Sequence, residues 1–213
     1  MRKLIYSDAS PFARKVRIVL AEKGLAFESG VVNGYLRALD SIKEHNPALQ
    51  VPTLYDRGGV LWGSNLILQY LFSAYPETPP AGASPPLSLT IARQDRYWDD
   101  MLTITTIESL ADSIINYRLM LMGGPEFKNT FMERQISRVS SSLDWLEQRC
   151  TNEGFWPGTL SVMDINLMCP LVYGETRKTF DYRTGRWPKI VELVDRLQSR
   201  PSVASTPINT TAK

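Results

Sequence analysis

The sequence predicts an α/β N-terminal domain followed by an all-α C-terminal helical domain. Residues 1–76 alternate short apolar runs with helical periodicity in the order β–α–β–α–β–β–α, which is typical of an α/β domain. Residues 77–88 are rich in Pro, Gly, Ala and Ser, as inter-domain linkers are. Every periodic segment within 89–213 has helical spacing. We therefore place the linker at 77–88 and the domains on either side of it.

The composition indicates a folded protein that uses neither nucleic acid nor a membrane as its partner. Of 213 residues 43% are apolar, and the net charge of +2 is too small for a polyanion-binding protein. No apolar run approaches the roughly 18 residues of a spanning helix, and we predict no signal peptide. Cys150 and Cys169 are far apart, which favours a reducing, cytoplasmic location. With His45 as the single histidine, no metal site is expected.

The first element is a strand, a turn and a helix. Residues 3–6 (KLIY) are strand-like, residues 7–10 form a polar turn, and a helix-periodic stretch then ends at Gly24. Because Pro11 suits the first helical position, Ser10 is predicted to be the N-cap. Unpaired N–H groups and the helix dipole favour an anion there: phosphate, carboxylate or thiolate. Ser10 is therefore either a simple cap or part of an anion site.

The remaining elements of the first domain follow from periodicity and turn residues. The glycine-bearing turn DRGG predicts a β-hairpin, and Ser64 or Asn65 is a plausible N-cap of the next helix. The predicted segments are a strand at 26–32, a weak helix at 33–46, hairpin strands at 51–55 and 60–62, and a helix at 66–74.

The second domain is predicted to contain only helices and a disordered tail. Ser161 and Asp164 form a capping-box pattern ahead of an apolar helix. The other predicted helices are 89–122, 126–150 and 187–199, and residues 206–213 read as disordered.

Two further positions in the first domain are candidates for chemistry. Pro52 within a strand run is out of place, which indicates either a cis bond after Val51 or an edge strand. Ser64 lies at a second helix N-terminus. Two helix starts and one free backbone edge are able to hold a small zwitterionic peptide, with its extended backbone paired to Val51.

These motifs together resemble the cytosolic glutathione transferase family over nearly the whole chain. SPFARKVRIVLAEKGLAFE is similar to that family's first βα unit, NPALQVPTL to its cis-proline segment, and SVMDINL to its helix N-capping motif. The start of the helix at Gly63-Ser64 is similar to its glutamyl-carboxylate site. The turn SPFA matches serine-type, bacterial-like members with an omega-like turn.

The resemblance implies a thioredoxin-like N-terminal domain, a helical C-terminal domain and a homodimer. It implies that Ser10 stabilises the glutathione thiolate, that Val51 pairs with the cysteinyl backbone beside the cis residue Pro52, and that Ser64 holds the γ-glutamyl carboxylate. The family usually carries Glu, Asp or Gln at the position of Gly63. That departure leaves the strength of glutathione binding open.

The expected activity is a detoxification-type transfer of glutathione to a small hydrophobic electrophile. Tyr6 is an alternative thiol activator, although it reads more simply as a strand residue. Arg14, Lys15 and Arg17 read as a solvated helix face. Two alternatives stay open: a non-catalytic binding or interaction protein, and a glutathione-dependent reductase. The reductase is disfavoured because Ser10 stands where such enzymes need a thiol.

Overall fold

A four-stranded mixed sheet organises the first part of the protein in the computed structural model, which describes residues 1–32, 42–76, 84–124 and 129–209. The strands are β1 (Lys3–Tyr6), β2 (Glu28–Val31), β3 (Thr53–Asp56) and β4 (Gly59–Trp62). Their order is β2-β1-β3-β4, with β1 parallel to β2 and β3 antiparallel to both β1 and β4. Fully buried Leu4 and Leu54 face each other across β1 and β3 at the centre.

The predicted hairpin is confirmed, with a shift at its start. Arg57 and Gly58 form its turn with φ values of 49° and 81°, the left-handed geometry that tight hairpins require. The first hairpin strand begins at Thr53 and not at residue 51, because Pro52 has no N–H to donate to a ladder.

Two helices pack on this sheet domain. Helix α1 (Pro11–Glu22) and helix α2 (Ser64–Ala74) contact each other through fully buried apolar side chains that include Val16, Leu20, Ile67 and Leu71. The weak helix predicted at 33–46 falls mainly on residues 33–41, which lie outside the described residues.

The second unit is helical, as predicted. After a 3₁₀ turn at Gln94–Arg96 it contains α3 (Tyr97–Met122), α4 (Thr130–Glu147), α5 (Val162–Thr176) and α6 (Pro188–Gln198). Helix α5 is buried nearly all round, and the predicted capping box of Ser161 and Asp164 is confirmed at its start. No helix within the described ranges combines the length and apolar character needed to cross a bilayer.

The first long helix of this unit starts later than predicted. The expectation was a start at residue 89, but α3 begins at Tyr97. Asp100 accepts hydrogen bonds from the Arg93 backbone N–H at 2.8 Å and from its guanidinium at 2.7 and 3.0 Å. Because these bonds hold Arg93 in an extended conformation, the chain turns into the helix only after it.

The C-terminal end departs most from prediction. The compact units are Met1–Ile91 together with the described residues from Arg200 onward, and Ala92–Ser199. The helical domain was expected to comprise the whole of 89–213, yet α7 (Pro201–Ala204) packs on α1. Thr206, predicted to be disordered, is buried, and its carbonyl accepts a hydrogen bond from Arg14 at 2.8 Å. Residues 77–83 of the predicted linker and residues 210–213 lie outside the described ranges.

Candidate functional site

The register of the sheet brings the predicted site positions to one end of it. Ile5 of β1 pairs with Thr53 of β3, and Thr53 pairs with Trp62 of β4. The segments that leave β1 and β4 and the segment that enters β3 therefore emerge at the same sheet edge. Those three segments carry Ser10, Val51 and Pro52, and Ser64.

Ser10 occupies the N-cap of α1, as predicted. Its backbone is extended, and its Oγ accepts a hydrogen bond from the Ala13 N–H at 3.2 Å. A hydroxyl accepts through a lone pair and donates through its proton, so capping leaves the donor unused. Within the described ranges the Ser10 hydroxyl donates to no protein atom. A proton donor thus stands at the positive end of a helix dipole.

Tyr6, the alternative activator, is held within the sheet. Its side chain is buried, and its hydroxyl is hydrogen-bonded to the Ser29 hydroxyl of β2 at 2.8 Å. The Arg17 guanidinium lies 4.7 Å from the centre of the Tyr6 ring. The Tyr6 hydroxyl and ring are therefore both in contact with neighbouring side chains, whereas Ser10 keeps an available donor.

The peptide bond between Val51 and Pro52 is cis, one of the two alternatives that the sequence left open. Val51 makes no backbone hydrogen bond to any described residue, so its N–H and C=O form a free edge just before β3. That edge has the unpaired donor and acceptor that an extended peptide needs for strand-like pairing.

Asn46 shapes the loop that leads to this edge, and the sequence reasoning gave it no role beyond a turn. Its side-chain amide donates to the Gln50 carbonyl at 2.9 Å and to the Thr53 hydroxyl at 2.8 Å, and its oxygen accepts from the Ala48 N–H. Leu49 within the loop has φ 53°. The Asn-Pro pair signalled a turn, but only the fold shows that the fully buried Asn46 side chain fixes the loop from inside.

Ser64 begins helix α2, and no side chain caps that helix. The N-cap position is Gly63, with φ 80° and without a side-chain cap hydrogen bond. Among the described residues no side chain therefore takes the capping role at this helix start, where backbone N–H groups favour an acceptor. Ser64 adds a hydroxyl to them, which makes this helix start suited to a carboxylate.

A cation lies beside this helix start, in disagreement with the prediction for α1. Lys15 is only 4% exposed, and its Nζ donates to Oδ1 of Asn65 at 2.6 Å. Arg14 is equally buried, and Arg17 forms an ion pair with Asp8 at 3.3 Å. The solvated basic face predicted for these three residues is therefore wrong. Long basic side chains bury their stems when the charged ends find partners, and all three do so here.

Protein thiols are absent from this sheet edge in the described part of the chain. Cys150 and Cys169 are both free and buried in the helical unit. Burial, followed by the charge of Asp164, raises the pKa of Cys150 to about 12. Among the described residues no group of three or more His, Cys, Asp or Glu side chains is placed to hold a metal ion. The site therefore offers hydroxyls, backbone donors and one ammonium group.

This chain is similar to glutathione S-transferases and to GST-like proteins. The family model for the glutathione S-transferase N-terminal domain matches residues 4–79. The uncharacterized GST-like protein YibF of Escherichia coli (strain K12) is 29% identical over 209 residues, covering 96% of this chain and 97% of that protein. A stringent starvation protein A homolog of Pasteurella multocida is 42% identical over 76 residues, which is 35% of each chain.

Solved structures extend the likeness to the whole chain. A glutathione S-transferase of Methylobacterium radiotolerans, crystallised with glutathione sulfonate, superposes with a TM-score of 0.81 at 26% identity and covers 100% of this chain and 97% of its own. A glutathione transferase family member of Pseudomonas fluorescens with bound glutathione has a TM-score of 0.81, 22% identity and coverage of 99% and 100%. The predicted architecture, a thioredoxin-like domain followed by a helical domain, is confirmed.

Proposed function

The chain belongs to the glutathione S-transferase family, and from that premise we propose that it binds glutathione and transfers it to a small hydrophobic electrophile. The observation that carries this proposal is the convergence of Ser10, the free edge of Val51 and the start of α2 at one sheet edge. These groups match glutathione in kind: a hydroxyl donor for the thiol, a backbone N–H and C=O for the peptide backbone, and a helix start for the γ-glutamyl carboxylate.

Ser10 acts as a hydrogen-bond donor to the sulfur. A free thiol has a pKa of about 8.5, so only a few per cent is ionised at neutral pH. One charge-assisted hydrogen bond and the dipole of α1 lower that pKa by stabilising the thiolate. The thiolate then attacks an electrophilic carbon, a C–S bond forms, and the leaving group departs with its electron pair. Ser10 itself forms no covalent bond.

The glutamyl end is recognised by Ser64 and the first turn of α2, with the Lys15 ammonium nearby. The Lys15 ammonium donates a hydrogen bond to the side chain of Asn65, the second residue of α2, and so places a positive charge beside this helix start. Its charge favours the γ-glutamyl carboxylate and does not replace the acidic or amide side chain that the family usually carries at the position of Gly63. The Lys15 charge serves the carboxylate and leaves the glutamyl amine without an assigned partner.

Calorimetry and turnover test the proposal together. We expect glutathione to bind with micromolar to low millimolar affinity and an aryl halide to be conjugated, with turnover lowered in Ser10→Ala. Absence of turnover with every electrophile tried, together with unchanged glutathione binding in Ser10→Ala, would overturn the assignment.

A second candidate function is a non-catalytic binding or interaction protein on the same scaffold. Gly63 is the observation that favours it, because no side chain there reaches the glutamyl amine. Failure to bind glutathione at millimolar concentration would select this reading. The reductase alternative remains disfavoured, and Ser10→Cys tests it: with a thiol at the cap, we expect disulfide reduction to appear in a protein that otherwise lacks it.

We also propose that the protein is a cytoplasmic homodimer. Two buried free cysteines suit a reducing compartment. Trp98 is 82% exposed and lies one turn before the exposed Leu102 on α3, an apolar face suited to a second copy. Sedimentation of Trp98→Arg checks this, since a dimer that uses this face should shift towards monomer.

A further inference from the structure

Arg14 joins the Ser10 turn to the C-terminal segment 200–209. Its backbone N–H donates to the Ser10 carbonyl at 3.0 Å, the first hydrogen bond of α1. Its side chain is 5% exposed, and the guanidinium donates to the carbonyls of Thr206 at 2.8 Å and Val203 at 3.4 Å. A movement of the C-terminal segment is therefore transmitted to Arg14, which lies one helical turn after the N-cap residue Ser10.

A second connection reaches the turn directly. The backbone N–H of Asn209 donates to the Asp8 carbonyl at 3.3 Å, two residues before Ser10. The Asp8 carboxylate in turn pairs with Arg17 on α1 at 3.3 Å. The C-terminal segment thus holds the turn from one side while α1 holds it from the other.

The same segment is fastened to the far end of α1. The Glu22 carboxylate accepts hydrogen bonds from Arg200 at 2.6 and 2.7 Å and from the Ser202 hydroxyl. All three side chains are buried, and Arg200 also donates to the Ser84 carbonyl at 3.3 Å. Because a buried ion pair of this kind is costly to separate, it anchors the segment on α1.

The turn itself has few internal constraints. The Ser10 N–H donates to the Ser7 carbonyl at 3.0 Å, and the Ala9 N–H donates to the Ser7 hydroxyl at 3.3 Å. Its residues are partly exposed and contribute no apolar side chain to the core. The Ser10 hydroxyl is held by its capping hydrogen bond from the Ala13 N–H, and the turn that precedes it is held in addition by contacts from outside the turn.

We propose that residues 200–209 form a positioning strap that holds the Ser10 hydroxyl in the geometry needed to donate to the sulfur of bound glutathione. Arg14 is the positioning residue through which the strap acts. The inference rests on the proposed function and adds to it a role for a segment remote in sequence from every residue of the site.

Two changes loosen the strap without touching the site. A chain ending at Ser205 loses the Thr206 carbonyl and the Asn209 N–H but keeps the Glu22 anchor. Arg14→Met removes the guanidinium, and Arg14→Lys retains a cation with fewer donors. Arg183→Gln is the control, because Arg183 bonds Glu175 and Asp195 in the helical unit and its loss costs stability elsewhere.

Two quantities are measured. The first is the pKa of the thiol of bound glutathione, determined from thiolate absorbance. The second is the affinity for S-methylglutathione, which has no free thiol. We expect the truncation and Arg14→Met to raise that pKa by about one unit, a tenfold loss of thiolate at a pH below it. Arg14→Lys should restore part of the shift. Binding of S-methylglutathione should stay within about twofold, since it reports on the rest of the site.

The outcomes separate the strap from the function. If Ser10→Ala raises the thiol pKa while the truncation and Arg14→Met leave it unchanged, the strap is refuted and the proposed function stands. A shift of equal size in Arg183→Gln would also refute the strap, because general destabilisation would then explain it. No shift in Ser10→Ala would overturn the assignment of Ser10 as the thiolate donor, and the strap inference with it, whereas turnover by the wild-type protein tests the transferase function itself.

Discussion

Replacement of Ser10 by alanine should have two separable effects. The hydroxyl caps α1 by accepting from the Ala13 N–H at 3.2 Å, and its proton is available to a bound thiolate. Alanine removes both the acceptor and the donor. The first loss is expected in the free energy of unfolding and the second in the ionisation of bound glutathione.

The sizes of both effects follow from the geometry. Loss of a serine N-cap costs about 1 kcal/mol of stability. A hydrogen bond to a charged group contributes about 1.5–3 kcal/mol. Since 1.36 kcal/mol corresponds to one pKa unit, Ser10→Ala should raise the pKa of the bound thiol by about one to two units. Turnover at neutral pH should fall by about tenfold or more for the same reason.

Ser161→Ala provides the matched control. Ser161 also caps a helix, with its Oγ accepting from the Asp164 N–H at 3.2 Å, but it lies in the helical unit. It is fully buried and also donates to the Asp164 carboxylate at 2.7 Å, so its removal should cost more stability than that of Ser10. The thiol pKa should stay unchanged in this variant.

Urea unfolding measures the loss of stability, and thiolate absorbance of the glutathione complex, titrated against pH, measures the change in the thiol pKa. An unchanged thiol pKa in Ser10→Ala, with the expected loss of stability, would show that Ser10 is only a cap. An equal rise of the pKa in Ser161→Ala would show that the effect is an indirect result of destabilisation.

Three further predictions concern other residues. Lys15→Met should weaken glutathione about tenfold, but should leave an analogue without the glutamyl α-carboxylate unaffected, as calorimetry with both ligands would show. Glu22→Gln should cost about 3 kcal/mol or more at neutral pH, since Arg200 loses its buried partner. Burial opposes the charge of Glu22, but hydrogen bonds from Arg200 and Ser202 outweigh it and lower its pKa. The wild type should thus lose stability as the pH falls through that lowered pKa, and urea titrations should show a flatter profile for the variant. Gly154→Ala should cost more than Gly158→Ala in thermal unfolding, because both glycines have positive φ but only at Gly154 would a Cβ meet Asp164 Oδ1, at 2.6 Å.

The sequence was informative wherever function depends on local backbone geometry. A proline after Ser10 and a serine three residues before Asp164 each specify a helix start through nearby atoms, and both were predicted correctly. Pro52 was recognised because proline conflicts with a strand, whatever the rest of the fold does. Such features are set by neighbours in sequence, so one chain is enough to read them.

The burial of the basic residues of α1 could not be predicted from neighbours in sequence. Arg14 and Lys15 are flanked by polar and apolar neighbours alike, and their burial depends on partners at Thr206 and Asn65, far along the chain. The prediction of disorder from residue 206 onward failed for the same reason, seen from the other partner of the contact. A short polar segment has no periodicity of its own, and its order comes from a guanidinium almost the whole chain away.

The distribution of charge at helix starts supports an anion at this sheet edge. The first turns of α1 and α2 contain no acidic residue, whereas in the other unit those of α3, α4 and α5 do and that of α6 does not. Carboxylates in a first turn stabilise a helix by complementing its dipole. The two helices at the site forgo that gain, and α1 instead carries buried cations in its first turns. The positive ends of the two helix dipoles therefore favour an acceptor from outside, which is what a thiolate at Ser10 and a carboxylate at Ser64 would provide.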